Sequence, residues 1–320
     1  MAIANTVQTY SRVGIREDLS DMIYDISPTA TPFLTGAGRG KVDNTLSEWQ
    51  VDQLAAPDSS NAVVQGADVT TFAAASPTAR HGNYTQISRK LVIVADTVDK
   101  VKKAGRKSEL AYQTAKRAKE LKRDMETILL GNQAASAGST SVAPTTGSLQ
   151  AFIKTNVNEA NDGVSPIYTS VPNDVRTAGT PRAFTKTILD DVLTQCWESG
   201  AEVTEVMVGA HNKAVASGFT GIAQHVHNVT GEQKPVIMAA ADIYVSDFGT
   251  VKIVPNRWMP ADVAYFLDYD FVSVDYLRPF KRVPLAKTGD AEKRMLITEY
   301  MLKVKNEQAL GIAADLTSSL

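Results

Sequence analysis

Ser108 to Gly131, SELAYQTAKRAKELKRDMETILLG, is the stretch around which the chain is built. Leu110, Ala111, Ala115, Ala118, Leu121, Met125, Ile128 and Leu129 recur at steps of three and four, which lays one apolar stripe along a helix. Ser108 supplies an N-cap oxygen, Glu109 sits in the first turn beside the positive helix end, and Gly131-Asn132 marks the stop. At a rise of ~1.5 Å per residue this is a rod of roughly 36 Å. A rod of that length with a single stripe requires a sheet or a second helix beside it.

Composition sets the frame. A chain of 320 residues exceeds the usual single-domain size, so two modules are expected. Basic residues number 33 and acidic residues 35, a net charge of −2, which argues against a dedicated nucleic-acid binder. The single cysteine, Cys196, excludes an intramolecular disulfide framework and fits a reducing compartment. The opening MAIANTVQTYSRVG has no basic segment followed by an apolar one, so no signal peptide is expected. No apolar run approaches the ~20 residues of a membrane span.

Upstream of the long helix, Arg16 to Ile26 (REDLSDMIYDI) places Leu19, Met22, Ile23 and Ile26 on one helical face, and Ser27-Pro28 ends it. Two readings stand: a terminal helix docked on its own domain, or an arm that reaches a neighbour. Gly36-Ala37-Gly38-Arg39-Gly40-Lys41 lacks the spacing of a phosphate loop and reads as a glycine hinge. Asn44 to Leu54 and Arg80 to Val98 read as the outgoing and return legs of a long hairpin, joined by a tip of small and turn residues. The apolar run Leu91 to Ala95 is suited to joining a sheet. A two-stranded hairpin is marginal alone in water, so this one calls for a partner surface.

Between Lys100 and Arg123 stand ten basic and two acidic residues, most simply a solvated face. Gly131 to Ser148 is small, polar and uncharged, a module boundary. Beyond it, Thr187 to Ser199 reads as a helix capped by Thr187 with Asp190 and ended by Gly200. Short strands follow at Glu202 to Gly209, Ile243 to Val245, Val251 to Val254, Val263 to Leu267 and Phe271 to Leu277, with a short helix at His211 to Ser217. From Arg294 a long strand puts Leu296, Thr298, Tyr300, Leu302 and Val304 on one side, suited to pack beside the long helix. The fold class is α+β, with the second module inserted into the first.

The chemistry is sparse. His225-x-His227 offers two metal ligands without a third. Cys196 lies on an apolar helical face and reads as core. Asp190-Asp191 and Glu202/Glu205 are paired only in sequence. No catalytic residue, metal or cofactor is expected, and the chain is read as a non-enzyme. The enzyme alternative kept open is an α+β hydrolase.

The segments Arg16-Glu17-Asp18-Leu19-Ser20-Asp21, Tyr24-Asp25-Ile26-Ser27-Pro28-Thr29 and Thr31-Pro32-Phe33 resemble the amino-terminal signature of a family of tailed-phage major capsid proteins. Gly38-Arg39-Gly40-Lys41 leading to Glu48-Trp49-Gln50 and Asp52 extends the resemblance. So do Val254-Pro255-Asn256-Arg257, Leu277-Arg278-Pro279, Leu285-Ala286-Lys287-Thr288-Gly289-Asp290, Glu299-Tyr300 and Asn306-Glu307-Gln308-Ala309-Leu310-Gly311. The family is similar to the Hong Kong ninety-seven-like capsid fold, with an N-terminal arm, an extended loop, a peripheral domain on a long spine helix, and an axial domain. The resemblance implies residues 1–39 as arm, 40–88 as extended loop (E-loop), 89–147 and 265–320 as peripheral domain with the spine at 108–131, and 148–264 as axial domain.

It further implies a structural protein that self-assembles into hexamers and pentamers, forming an icosahedral or prolate head shell around double-stranded DNA; the alternative kept open beside it is another ring-forming virion component. The implied partners are further copies, a separate scaffolding protein, a portal and a decoration protein. The implied location is the virion capsid, assembled in the host cytoplasm, with no membrane and no sequence-specific DNA binding. Inter-subunit contacts are expected from Leu19, Met22, Ile23, Phe33, Arg39, Lys41, Trp49, Val51, Leu54 and Tyr84. Deleting Asn44–Thr85 is expected to spare the folded domain and abolish shells.

Overall fold

The computed structural model describes residues 27–68, 72, 74, 77–103, 105–219 and 243–318. Thr31-Pro32 opens a single helical turn, α1 (Pro32–Gly36), with proline near the start of the helix, where its missing N–H costs nothing. Strands β1 (Gly38–Lys41), β2 (Leu46–Val51), β3 (Ala79–Tyr84) and the longer β4 (Gln86–Ala95) follow. A second turn, α2 (Asp96–Lys100), leads to the long helix α3 (Glu109–Leu130). The middle of the chain forms α4 (Leu149–Phe152), β5 (Val157–Asn158), α5 (Lys186–Glu198), β6 (Glu205–Val208), α6 (Ala210–Ser217), β7 (Ile243–Ser246), β8 (Gly249–Pro255) and β9 (Ala264–Leu267). The hairpin β10 (Val272–Pro284) and β11 (Ala291–Val304) and the short β12 (Gly311–Ala313) close it.

The strands form three sheets. One has the order β1-β10-β11-β4, the second β5-β12-β9-β6-β8-β7, and β2 pairs with β3 alone. The long helix lies along β4 and β11. Ser108 caps it as read, accepting from the Ala111 N–H at 3.2 Å, and Leu110, Thr114, Leu121, Met125, Leu129 and Leu130 form its buried face. Ala111 and Ala115, read as part of the stripe, face outward, because the sheet covers only one side of the rod. The hairpin strand β11 meets the helix with the side read from its period. Leu296, Thr298, Tyr300, Leu302 and Val304 are all buried. Pro279 sits where the β10–β11 register shifts, so its missing N–H breaks no ladder bond.

Several expectations are corrected. The glycines at 36, 38 and 40 do not supply a left-handed turn, since none has positive φ. Gly38 and Gly40 lie in β1, which pairs in parallel with β10. A Cβ on Gly40 would fall 2.3 Å from the Asp275 carboxylate, and one on Gly36 would fall 2.6 Å from the Tyr269 ring. Their small size permits close approach rather than hinging. Helix α5 is capped by Thr185, whose side chain accepts from the Ile188 N–H at 3.3 Å, not by Thr187. Gly200 does follow it with φ 87°.

Gly40-Lys41 and Gln86 to Ser88, at the two ends of the stretch read as the extended loop, pair within the four-stranded sheet. The boundary at 264/265 cuts β9, and residues 311–313 cross over to pair with β5 and β9. Region 265–320 therefore contributes to both large sheets. One core joins them: Met125, Leu129, Phe152, Tyr265, Tyr300 and Ile312 fall in a single buried cluster. The Tyr265 hydroxyl donates to the Leu130 carbonyl at the end of α3, tying the second sheet to the helix.

Candidate subunit interface

The expected contact residues fall into different environments. Leu19, Met22 and Ile23 lie outside the described residues. Phe33 is fully buried in the chain's own core, so it offers no surface to a neighbour; α1 turns it beneath Tyr269, ring centres 6.5 Å apart. Trp49 and Val51 on β2 and Tyr84 on β3 are half-buried. Trp49 packs on Phe152 at 6.3 Å and lies under the Lys303 ammonium at 5.5 Å, so most of its burial is intramolecular. Arg39 and Lys41 are exposed on β1, and Lys41 pairs with Asp43 at 2.9 Å. Leu54, beyond the end of β2, is 94% exposed.

The base of the hairpin is clamped. Asn83 is fully buried, and its amide donates to Thr146 Oγ1 at 2.9 Å, the Gly147 carbonyl at 3.2 Å and the Leu302 carbonyl at 2.7 Å. Its Oδ1 accepts from the Gly147 N–H at 2.8 Å. The neighbouring Thr85 hydroxyl donates to Glu299 at 2.9 Å. Deleting 44–85 would therefore remove part of the core, which corrects the expectation that this deletion spares the domain. Leu54, Val63, Val64 and Phe72, between Val51 and Ala79, are by contrast largely exposed.

Three apolar surfaces lack a cover among the described residues. The tip carries Leu54, Val63, Val64 and Phe72, each at least 80% exposed. On the face of the four-stranded sheet away from α3, Leu91 and Ile93 of β4 are 53% and 65% exposed. The register places Val283, Met295 and Leu91 in one row across β10, β11 and β4. The third surface is the edge strand β7, where Ile243 and Val245 point outward near the stacked pair Trp197–Phe248, 5.2 Å apart. Sequence reading found the tip by its composition. It missed the sheet face, because Leu91 to Ala95 is apolar on both sides and its period does not say which side the helix takes.

A buried carboxylate anchors the root of the arm. Glu126 of α3 accepts the Phe33 N–H at 2.8 Å, the Leu34 N–H at 2.9 Å and the Asn256 amide at 2.8 Å. Burial holds its pKa above the ordinary value despite these donors, and the nearby Glu205 adds to the rise. No sequence signal marked it, since it stands among the charged residues of the helix. The folded state therefore takes up its proton more readily than the unfolded chain. Its stabilising contribution is full below the unfolded pKa and is lost as pH rises through the folded one. We expect wild type to gain on Glu126→Gln as pH falls from 8 to 5, measured by thermal unfolding of both proteins. A gap independent of pH would contradict the raised pKa.

The paired carboxylates serve the fold. Asp190 accepts from the Tyr244 hydroxyl, Asp191 from Asn158 at 2.6 Å and Gln195 at 2.9 Å, and Glu205 from Tyr269 at 2.8 Å. Cys196 is buried, with its thiol pushed up to about 12 by desolvation. His225 and His227 lie outside the described residues. Among the described residues no three His, Cys, Asp or Glu side chains gather as metal ligands, and no helix is long and apolar enough to cross a membrane.

A long helix laid on a sheet, a clamped hairpin excursion with an uncovered tip, and a second sheet closed by the last strand define the Hong Kong ninety-seven-like class of phage capsid fold. The capsid subunit of cyanophage A-1(L) superposes with a TM-score of 0.64 at 12% identity, covering 95% of this chain and 97% of that one. The capsid protein of the native GTA particle gives 0.60 at 11% identity, covering 97% of each. The chain belongs to the SU10 major capsid protein family, whose model matches residues 2–317. It is 30% identical over 354 aligned positions to the major capsid protein of Escherichia phage Phieco32, covering 98% of this chain and 97% of that protein.

Proposed function

We propose that this major capsid protein closes its shell by laying the tip of one copy over the uncovered sheet face of the next. The carrying observation is that both surfaces are apolar and that neither has a cover among the described residues. Subunits meet as hexamers and pentamers, with the edge strand β7 and its Trp197–Phe248 pair as the contact within each ring. Val51 and Leu54 stand at the tip side of this contact, Tyr84 at the base of the hairpin and Arg39 and Lys41 on β1, while Leu19, Met22 and Ile23 belong to the arm. A scaffolding protein, a portal and a decoration protein complete the assembly around double-stranded DNA in the host cytoplasm. The protein acts as a container wall and not as an enzyme. Its near-neutral charge supports that role, because packed DNA then finds no strongly basic lining.

Each single contact is modest, and closure multiplies it. The test is Leu91→Glu with Ile93→Glu. Both side chains face away from α3, so the subunit keeps its thermal unfolding. Shells disappear in negative-stain micrographs of the variant expressed with its scaffold, because each joint now desolvates charge. Normal shells from the folded variant would remove the sheet face from the joint.

A further inference from the structure

A groove of about 380 Å³ opens beside the root of the arm, lined by Thr31, Leu34, Arg39, Lys122, Tyr276 and Phe280 among others. Its floor is apolar, with Tyr276 and Phe280 6.2 Å apart on β10 and Leu34 on α1. Its rim is basic. Arg39 comes from β1 and Lys122 from α3, both exposed, and no carboxylate lies within ion-pair distance of either among the described residues. By contrast, the acids on the same helix are already engaged, Glu120 with Arg117 and Asp124 with Lys90. The chain enters at this place. The Trp258 indole donates to the Ala30 carbonyl at 2.8 Å, and the Arg123 guanidinium stacks over that indole at 5.1 Å.

The sequence upstream has the complementary character. Residues 16–26 carry Leu19, Met22, Ile23 and Ile26 on one helical face, and Asp18, Asp21 and Asp25 at steps of three and four beside it. Four residues, 27–30, connect this segment to the groove's own Thr31, five steps with a reach of at most about 18 Å.

We propose that the groove seats residues 16–26 of the same chain, with the apolar face on Leu34, Tyr276 and Phe280 and the acidic stripe against Arg39 and Lys122. The segment lies outside the described residues; the groove, its cations without a carboxylate partner among the described residues, and the short tether favour this seat. The seat does not depend on how shells close. It gives the arm a fixed start on the subunit that carries it, so only what precedes residue 16 is left to reach a neighbour.

The test places Met22→Cys and Phe280→Cys in the full-length chain. Cys196 stays, since it is buried and its thiol is unreactive. Under mild oxidation, a bridge within one chain, seen by peptide mapping of the monomer band, is the expected result. A bridge between chains would assign the groove to another copy's arm and overturn the same-chain seat. No bridge in either form would overturn the groove itself. Arg39→Glu with Lys122→Glu lowers the bridge yield several-fold at low salt, and adding Asp21→Lys with Asp25→Lys restores it. Loss without restoration would show that charge pairing does not hold the segment. Shell formation is scored separately by microscopy, so failure here leaves the shell reading standing.

Discussion

Replacing residues 53–77 with an Asn-Gly turn is expected to abolish closed shells while the subunit stays folded. The last paired residues of the hairpin are Val51 and Ala79. A two-residue turn after Asp52 and before Thr78 continues that register, because Asn-Gly accepts the positive φ values of a tight hairpin. The residues removed include Leu54, Val63, Val64 and Phe72, which contribute almost nothing to the core of their own chain. Folding stability is then expected to change by less than about 1 kcal/mol, with the shorter loop offsetting lost local contacts. The surface lost is the one proposed to cover the neighbour's sheet, and each subunit of the shell would lose it. Thermal unfolding and negative-stain microscopy of the same preparation decide the matter. Intact shells would dismiss the tip as a joint, and an unfolded variant would reveal support from the tip that the structure does not show.

Asn83→Ala acts at the other end of the same hairpin and has the opposite signature, a loss of folding. The amide joins three places distant in sequence: β3, the loop after α3, and the backbone of β11. Alanine leaves the Gly147 N–H and the Leu302 carbonyl buried without these partners, each a penalty of about 1–3 kcal/mol. The expected total is about 3 kcal/mol or more, with a small cavity adding to it. Urea unfolding of the unassembled subunit measures it. Asn83→Asp is expected to be no better, since a carboxylate cannot donate to the two carbonyls and would be buried without a cation. A loss below about 0.5 kcal/mol in the alanine variant would mean that water or local rearrangement replaces these bonds.

The contrast between these two ends shows what the residues disclosed and what they withheld. The long helix was legible because period, cap and stop agree from Ser108 to Gly131. The strand β11 was legible because its alternation at 296, 298, 300, 302 and 304 is clean and its buried side faces a helix. The glycines at 36 and 40 misled because a glycine needed for close approach looks the same in sequence as one needed for positive φ. Asn83 and Glu126 were invisible for a related reason. Their meaning comes from partners 60 or more residues away, and a polar residue in a strand or a charged helix carries no mark of burial. The joint surfaces were half legible, since the tip announces itself by composition while the exposed side of β4 depends on which face the helix covers.

The crossover of the last strand has a consequence for the order of events during synthesis. β12 lies between β5 and β9 in the second sheet, and no other strand among the described residues bridges them. Until residues 311–313 have left the ribosome, β5 has nothing to pair with and the edge of β9 stands open. The sheet is therefore completed late in synthesis, after every other strand of the described residues has been made. A chain abandoned before residue 311 never acquires that closure, so the topology itself acts as a proofreader that withholds a finished second sheet from it.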